Sequence, residues 1–260
     1  MPGRVAPVFS GSMELHAIPI RGIGEVLPGD SIADLIVDAL ALGGLRLHVG
    51  DILAVKHKIV SKAEGRMVEL ATVKPSAAAK RFAANSGTDA RVVELALREA
   101  KRVVRNQHVL ITETAHGLVC ANSGIDVSNV DGGKTALLLP LDPDRSAARL
   151  HRQLKKRTTL HIPVIIADSF GRAWREGLNE AAIGLAGMKP MHDYRGHTDP
   201  YGYKMHATEE CIADELACVA GLVCSKNTLV PACIIRGCYY VRGNGSARQI
   251  LRPAAKDLFR

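Results

Sequence analysis

Two aspartates stand in polar segments beside apolar runs, where a carboxylate is well placed to meet a metal ion. Asp126 lies in the turn-rich segment 122–133, and Asp168 directly follows the apolar run 163–167. An aspartate at the end of a buried strand, followed by a hydroxyl such as that of Ser169, is a common way to hold Mg²⁺ or Mn²⁺, which take their other ligands from phosphate and water. Aspartates also stabilise turns. The spacing leaves both interpretations open.

Basic side chains are concentrated in three segments that have the chemistry to bind phosphate. The segments are 56–62, 172–175 and 242–248. In the first, continuation of an apolar strand would place Lys56 and Lys58 on one face and His57 on the other. The others combine arginines with glycines, and arginine forks bind phosphate or carboxylate in a bidentate manner. A solvated surface also explains any one of these segments, and only together with the two aspartates do they indicate phosphate binding.

Familiar nucleotide and hydrolase signatures are missing from the sequence. It contains no GxxxxGK[ST] loop, no complete GxGxxG fingerprint, no HExxH zinc helix and no GxSxG elbow. The residues by themselves therefore indicate an enzyme that handles metal and phosphate, and no more.

The composition is that of an ordinary globular protein. The chain has 260 residues, of which 47% are hydrophobic and 23% charged, which excludes a fibre or a wholly disordered chain. Aromatic residues make up only 4%, so the core must consist mainly of Ala, Val, Leu and Ile. The net charge of +8 suits phosphates and carboxylates as well as nucleic acid. Because aromatic residues do not alternate with the basic ones, we expect no nucleic-acid partner.

Two further basic clusters, outside the three segments above, are expected on solvated helix faces because of their helical periodicity. The first cluster is Lys101, Arg102 and Arg105, predicted on one amphipathic helix, and the second is Lys155, Lys156 and Arg157, at the end of another.

The cysteines and the lack of long apolar stretches indicate a cytoplasmic protein. None of the six cysteines has CxxC spacing, which favours buried free thiols in a reducing compartment. No stretch approaches the roughly 20 apolar residues that span a bilayer. Residues 1–12 lack the apolar core of a signal peptide, so we expect a short disordered leader there.

Hydrophobic periodicity predicts an α+β fold for residues 13–260, as one domain or two subdomains. Strands are expected at 13–20, 52–55, 109–112, 136–139, 163–167 and 229–235, with 117–121 pairing with 109–112 as a hairpin. Helices are expected at 31–42, 75–105 with a break near 85–87, 146–156 and 208–223. Residues 171–202, between the strand at 163–167 and the helix at 208–223, form a long glycine-rich region. Helices and strands do not alternate regularly, which argues against a parallel βαβ fold.

Segment 58–66, KIVSKAEGR, resembles the KIVSKxEGR block of the coenzyme F-420-0:L-glutamate ligases. Other blocks of that family recur in the same order, so the resemblance runs from about residue 13 to the end. They are PGD (28–30), GIDVSNV (124–130), DSFGRAWREG (168–177), DYRG (193–196), DPYG (199–202) and GSAR (245–248).

The resemblance implies a GTP-dependent γ-glutamyl ligase that acts on the deazaflavin coenzyme through an acyl phosphate. It also implies Mn²⁺ or Mg²⁺ as cofactor, with K⁺ as a further candidate, and mixed or antiparallel sheets with flanking helices in an intertwined homodimer. The metal ligands implied are Asp126 and Asp168, with the Ser169 hydroxyl serving a second metal. The nucleotide contacts implied are Ile23, Gly24, Glu25, Val26, His57, Lys62 and Asn129, with the segment 224–231. No catalytic residue is assigned. These implied roles suit phosphoryl transfer, because metals and lysines spread the charge of a transferring phosphoryl group.

The sequence departs from the family pattern at several positions near the implied site. Ser169 stands where threonine is usual, and His57 where Ser or Gln is frequent. The stretch 177–180, GLNE, replaces GQTD and so places the longer acid at Glu180. Lys226 stands near a position where some relatives offer an oxygen ligand to the second metal, which a lysine cannot do. Two alternatives therefore stay open: a related ligase with another acceptor acid or amine, and a non-catalytic relative that binds a nucleotide or flavin.

Overall fold

The computed structural model describes residues 14–128 and 130–257. The predicted leader, 1–12, and Asn129 lie outside the described residues. The strands are β1 (His16–Ile20), β2 (Ile52–Lys56), β3 (Met67–Glu69), β4 (Ala100–Gln107), β5 (Val109–Thr114), β6 (Val119–Ala121), β7 (Thr135–Leu137), β8 (Val164–Arg172), β9 (Arg175–Ala186), β10 (His192–Asp193), β11 (Glu209–Glu210) and β12 (Ala232–Arg236). The α-helices are α1 (Ile32–Leu42), α2 (His57–Ala63), α3 (Ala77–Ser86), α4 (Ala90–Glu99), α5 (Pro143–Thr158) and α6 (Ile212–Val223).

A five-stranded mixed sheet organises the chain in the order β1-β12-β2-β8-β9. β2 and β8 are parallel, and the other neighbouring pairs are antiparallel. Smaller sheets pair β3 with β7, β10 with β11, and β4 with β5 and β6. This mixture of helices with mixed and antiparallel sheets confirms the predicted α+β class. The division into one domain or two subdomains stays a prediction.

Side chains of the central sheet alternate between two apolar cores, as the strand period of two requires. Leu53 and Val55 belong to the core that α1 and α5 cover. Ile52 and Ala54 belong to the core that α6 covers on the opposite face. The sheet is thus buried between helices on both sides.

Local signals define the helices that cover the sheet. The Ser31 hydroxyl caps α1 by accepting from the Asp34 N–H at 3.4 Å. Asp142 caps α5 by accepting from the Arg145 N–H at 3.0 Å, and Pro143 begins that helix. Both helices were predicted from their periodicity, although α5 begins three residues earlier than expected and ends two residues later.

The prediction of a helix through residue 105 is wrong in its last part. Residues 100–107 form β4, which pairs antiparallel with β5. Lys101 and Arg102 therefore lie on a strand, where both pair with Glu113 across the ladder, at 3.5 and 2.7 Å. Arg105 lies on the same strand. Pairing with a neighbouring strand has outweighed the local helical pattern, which periodicity cannot foresee.

Around β8, the predicted position of Asp168 is wrong, and one long strand is absent from the prediction. Asp168 does not follow the end of a strand but lies inside β8, because β8 continues to Arg172 in a long hairpin with β9. The glycine-rich region beyond it contains the 12-residue β9. Its polar and glycine residues interrupt the apolar alternation that would predict a strand. Helix α6 begins four residues later than predicted, since residues 209–210 pair with 192–193.

The expected continuation of β2 through residue 58 is wrong as well. The chain becomes helical at His57 without an intervening loop, and Lys56 is both the last residue of β2 and the N-cap of α2. Lys56 and Lys58 therefore do not share a strand face. In the part of the chain that the structure describes, no helix is long and apolar enough to cross a membrane.

Candidate active site

The junction between β2 and α2 places four cationic or titratable side chains within seven residues. They are Lys56, His57, Lys58 and Lys62. Because β2 and β8 are parallel neighbours with Lys56 opposite Ala167, this junction lies beside Asp168. Each of the four side chains contacts an acidic residue from a different part of the chain. The junction therefore gathers the distant segments that the sequence marked as functional.

His57 connects the junction to the first predicted metal ligand. Its Nε2 lies 3.3 Å from Asp168 Oδ1, and its Nδ1 lies 3.3 Å from the Ser61 hydroxyl. The His57 side chain is only 2% exposed. The Nε2 atom makes no hydrogen bond to any described residue, because its contact with Asp168 is close without the geometry of one. A buried ring nitrogen in this condition is costly unless another group meets it, which is typical of a functional site.

Ser169 and Glu180 face each other across the β8–β9 hairpin. The Ser169 hydroxyl donates to Glu180 Oε1 at 2.8 Å, and the Lys56 ammonium bonds the same oxygen. Next to them, Asp168 Oδ1 accepts from the Ser169 N–H at 2.7 Å. The hydroxyl that the resemblance assigned to a metal is thus oriented by a carboxylate that the sequence flagged only as a departure from the family pattern.

Asp126, the second predicted metal ligand, is held by Lys58 and Ser128. Lys58 Nζ lies 2.7 Å from Asp126 Oδ2 and donates to the Ser128 carbonyl and hydroxyl, each at 2.9 Å. The Ser128 N–H donates to Asp126 Oδ1 at 2.7 Å. Burial alone would raise the pKa of the Asp126 carboxyl, but the hydrogen bonds from Lys58 and Ser128 outweigh it and hold the pKa below its ordinary value. Asp126 is therefore an anion at neutral pH.

The backbone fixes Asp126 from the other side. Asp126 and Leu137 exchange two backbone hydrogen bonds, at 3.0 and 2.8 Å, next to β7. The strand β6, which leads into this segment, packs against β8. Burial, with a smaller effect from Asp168, raises the pKa of the Cys120 thiol on β6 to about 12. The two aspartates thus sit in adjoining segments, each paired with one of two consecutive residues of α2.

The loop after β1 joins the same junction through Glu25. Glu25 Oε1 lies 2.5 Å from Lys62 Nζ, and the Lys62 side chain is only 8% exposed. Val26 is buried in the core and Ile23 packs against it, while Gly24 is exposed with open space where a Cβ would stand. The predicted nucleotide-binding loop 23–26 is therefore anchored at both apolar positions and open between them, beside the predicted Lys62.

The segment 224–231 reaches the junction from the opposite core. The Lys56 N–H donates to the Pro231 carbonyl at 2.8 Å. A hydrogen bond with Cys233 lowers the pKa of the Cys224 thiol, with burial opposing the shift and the Lys56 charge assisting it. All six cysteines are free thiols, as predicted, but only Cys120, Cys224 and Cys233 are buried.

The donor set suits a hard divalent cation that shares its coordination with phosphate. Among residues 14–128 and 130–257, no three His, Cys, Asp or Glu side chains converge as a self-sufficient metal site. Mg²⁺ needs only one or two protein carboxylates and takes phosphate oxygens and water for the rest. Asp126, Asp168 and the Ser169 hydroxyl supply oxygen ligands of that kind, and unpartnered polar atoms lie beside them.

The sequence pattern assigns no role to Glu180, and to Lys56 only a general one as a phosphate-binding candidate. The register of the β8–β9 hairpin places Glu180 opposite Ser169 and would identify it as a site residue. The sequence does not predict this register, because it does not predict β9.

A separate cleft of about 540 Å³ lies near the other end of β9, lined by Asp144, His151 and Ser246 among others. Asp144 accepts from the N–H groups of Leu185 and Ala247, at 2.9 and 2.8 Å, and from the Ser246 hydroxyl at 2.6 Å. The GSAR block, 245–248, therefore ties the C-terminal segment to α5 and β9. None of the predicted metal ligands or nucleotide contacts lines this cleft, but Gly245, Ser246 and Arg248 of the predicted phosphate-binding segment 242–248 do.

The chain is similar to known proteins over most of its length. The family model described as F420-0:Gamma-glutamyl ligase matches residues 22–237. A protein from Methanothermobacter thermautotrophicus named Coenzyme F420:L-glutamate ligase is 43% identical over 252 residues, covering 95% of this chain and 100% of the relative. Proteins of the same name from Archaeoglobus fulgidus and Methanopyrus kandleri are 39% and 40% identical, covering 95% and 96% of this chain and 97% and 98% of the relatives.

Proposed function

Because the chain belongs to the F420-0:γ-glutamyl ligase family, we propose that it joins L-glutamate to the terminal carboxylate of the deazaflavin coenzyme F420-0, with GTP and a divalent cation. The family predicted from the sequence blocks is confirmed. The observation that carries the finer proposal is the pairing of Asp168 and Asp126 with the consecutive residues His57 and Lys58. This arrangement presents two carboxylates and several cations to one region, as transfer of a phosphoryl group requires.

The proposed reaction proceeds through an acyl phosphate. A carboxylate oxygen of the acceptor attacks the γ-phosphorus of GTP, and the bond to the β-phosphate oxygen breaks to release GDP. The glutamate nitrogen then attacks the acyl carbon, the C–O bond to phosphate breaks, and the nitrogen loses a proton to the medium. The overall change is one amide bond formed and one phosphoanhydride bond broken.

The residues of the junction have distinct parts in this proposal. Divalent cations, held by Asp126 and Asp168 and, at a second site, by the Ser169 hydroxyl, would neutralise phosphate charge when bound. Lys62 and His57 contact the nucleotide together with the loop 23–26 and the segment 224–231. Lys58 orients Asp126 through the 2.7 Å contact. Asn129, also predicted to contact the nucleotide, lies outside the described residues. No side chain is assigned as a general base.

A homodimer is part of the proposal, and the β8–β9 hairpin suits such an interface. β9 is an edge strand of the central sheet. Near the hairpin's turn, the side chains of Trp174 and Leu178 are 82% and 58% exposed. Exposed apolar groups beside an open edge favour association. Light scattering on purified protein is expected to give twice the 27.8 kDa chain mass, and a monomer over the working concentration range would contradict this part.

A product assay tests the proposed function. Purified protein is incubated with GTP, Mn²⁺, L-glutamate and F420-0, and the products are read by mass spectrometry. The expected product is F420-0 plus one or more glutamyl residues, with GDP and phosphate released in step. Phosphate release with another acceptor, but none with F420-0, would indicate a related ligase. Binding of nucleotide without turnover of any acceptor would indicate a non-catalytic relative.

A further inference from the structure

The Glu180 carboxylate uses its two oxygens in different ways. Oε1 accepts a hydrogen bond from the Ser169 hydroxyl at 2.8 Å and also bonds the Lys56 ammonium. Oε2 is buried and has no hydrogen-bond partner among the described residues. A buried carboxylate oxygen left without a partner is destabilising, so its retention calls for a group that meets it.

The fold accommodates Glu180 through a glycine on the facing helix. A Cβ on Gly221 of α6 would lie 2.6 Å from Glu180 Cγ, closer than two non-bonded carbon atoms can approach. A glycine inside a helix is unfavourable, so its presence here has a packing reason. The Cys218 thiol of α6 also donates to the Glu180 carbonyl at 3.2 Å. Helix α6 thus sets the position of this residue.

The surroundings of Oε2 favour a cation over a further hydrogen-bond donor. Glu180 pairs with Ser169 and shares its face of the sheet, whereas Asp168, the preceding residue of β8, pairs with Ala181 and points to the other face. The fully buried His57 Nε2, also without a hydrogen bond, lies 3.3 Å from Asp168 Oδ1. The Glu180 carboxylate and the Ser169 hydroxyl supply oxygen ligands of the kind that Mg²⁺ and Mn²⁺ select.

We propose that Glu180 is a further ligand of a divalent cation, which it binds through Oε2 while Oε1 keeps Lys56 and Ser169 in place. The inference rests on the proposed function, since it assigns a residue to the cation of that reaction. The carboxylate then connects the cation to Lys56, so that both positive groups are positioned by one side chain. Glu180 replaces no predicted ligand; it joins the Ser169 hydroxyl, which the resemblance assigns to a second metal.

Mn²⁺ binding provides the test, with a readout that does not depend on turnover. Free Mn²⁺ is titrated by electron paramagnetic resonance in the presence of a non-hydrolysable GTP analogue. The wild type is compared with Glu180→Gln and with the control Glu69→Gln, an exposed glutamate on β3. Glutamine keeps an acceptor for Lys56 and Ser169 but removes the charge. Mn²⁺ affinity is expected to fall at least tenfold in Glu180→Gln and to stay unchanged in the control.

A second variant moves the carboxylate without changing its charge. Gly221→Ala places a methyl group against Glu180 Cγ and is expected to weaken Mn²⁺ binding in the wild-type background. In the Glu180→Gln background the same change should have little further effect, because the two substitutions act on one interaction. Thermal unfolding of every variant shows that the protein measured is folded.

The outcomes separate this inference from the proposed function. Wild-type affinity in both Glu180→Gln and Gly221→Ala would overturn the role of Glu180 and leave the ligase proposal standing. Failure of the wild type itself to bind Mn²⁺ with the nucleotide analogue would overturn both. Additive losses in the double variant would show that Gly221 and Glu180 act independently, which also contradicts the inference.

Discussion

His57 Nε2 lies 3.3 Å from Asp168 Oδ1, and this contact joins the first residue of α2 to the middle of β8. The next residue, Lys58, contacts Asp126 at 2.7 Å. Two aspartates that are 42 positions apart in the sequence are therefore linked through two consecutive residues. The direct passage from β2 to α2 makes this possible, because no loop separates the strand from the helix.

Neutralising either aspartate is expected to abolish turnover. Asp126→Asn and Asp168→Asn keep the shape of the side chain but remove the charge that a divalent cation requires, so kcat should fall by at least about 100-fold. Asp38→Asn, an exposed position on α1, serves as control and should retain activity. Steady-state kinetics with saturating Mn²⁺ make the comparison, and near-normal kcat in either site variant would refute the assignment.

Removing the Lys58 ammonium is expected to have a smaller effect, because this group positions Asp126 instead of binding the cation. Loss of a charge-assisted hydrogen bond of this kind corresponds to about a tenfold loss in kcat/KM. Lys58→Met is compared with Lys74→Met, an exposed lysine outside the site. If the two variants had equal activity, the contact between Lys58 and Asp126 would have no functional weight.

The packing of β9 against α5 predicts a large effect of one methyl group on stability. A Cβ on Gly184 would lie 2.4 Å from the Pro143 carbonyl oxygen, which belongs to the rigid start of α5. Gly184→Ala is expected to lower the free energy of unfolding by about 1–3 kcal/mol. Gly171→Ala in β8 has only one distant neighbour, at 3.9 Å, and should change stability by less than about 0.5 kcal/mol. Denaturant titrations that give equal midpoints would contradict this packing.

The imidazole of His151 predicts a pH dependence of stability. Burial lowers the pKa of His151 below its ordinary value of 6.5, although the contact of its Nδ1 with the Ile162 carbonyl, at 2.6 Å, opposes the shift. The unfolded chain therefore binds the proton more readily, and stability falls as the pH drops through about 6.5. The loss is complete only below the lowered pKa of the folded protein.

His151→Asn isolates this contribution, because asparagine does not titrate. The stability of the wild type relative to the variant is expected to decrease when the pH is lowered from about 8 to about 5.5. Chemical denaturation at both pH values measures the difference. A relative stability that is constant or rises toward acidic pH would contradict the shift of the His151 pKa.

The family and the main helices could be predicted from the sequence, and the geometry of the site only in part. Asp126, Asp168 and Ser169 were identified from motif blocks, and the structure gives each a charged or polar partner. Glu180 was missed as a site residue because β9 lacks continuous apolar alternation, so the register that sets it opposite Ser169 was hidden. Pairing between distant strands depends on the whole fold, whereas caps such as Ser31 depend on neighbours and are readable in advance.

The most direct test is a crystal structure with Mn²⁺ and a non-hydrolysable GTP analogue, in which anomalous scattering locates the metal. The account predicts a manganese peak within coordination distance of the Asp126 and Asp168 carboxylates, with the nucleotide phosphates on its open side. A nucleotide bound elsewhere, or a manganese ion that contacts neither carboxylate, would contradict it.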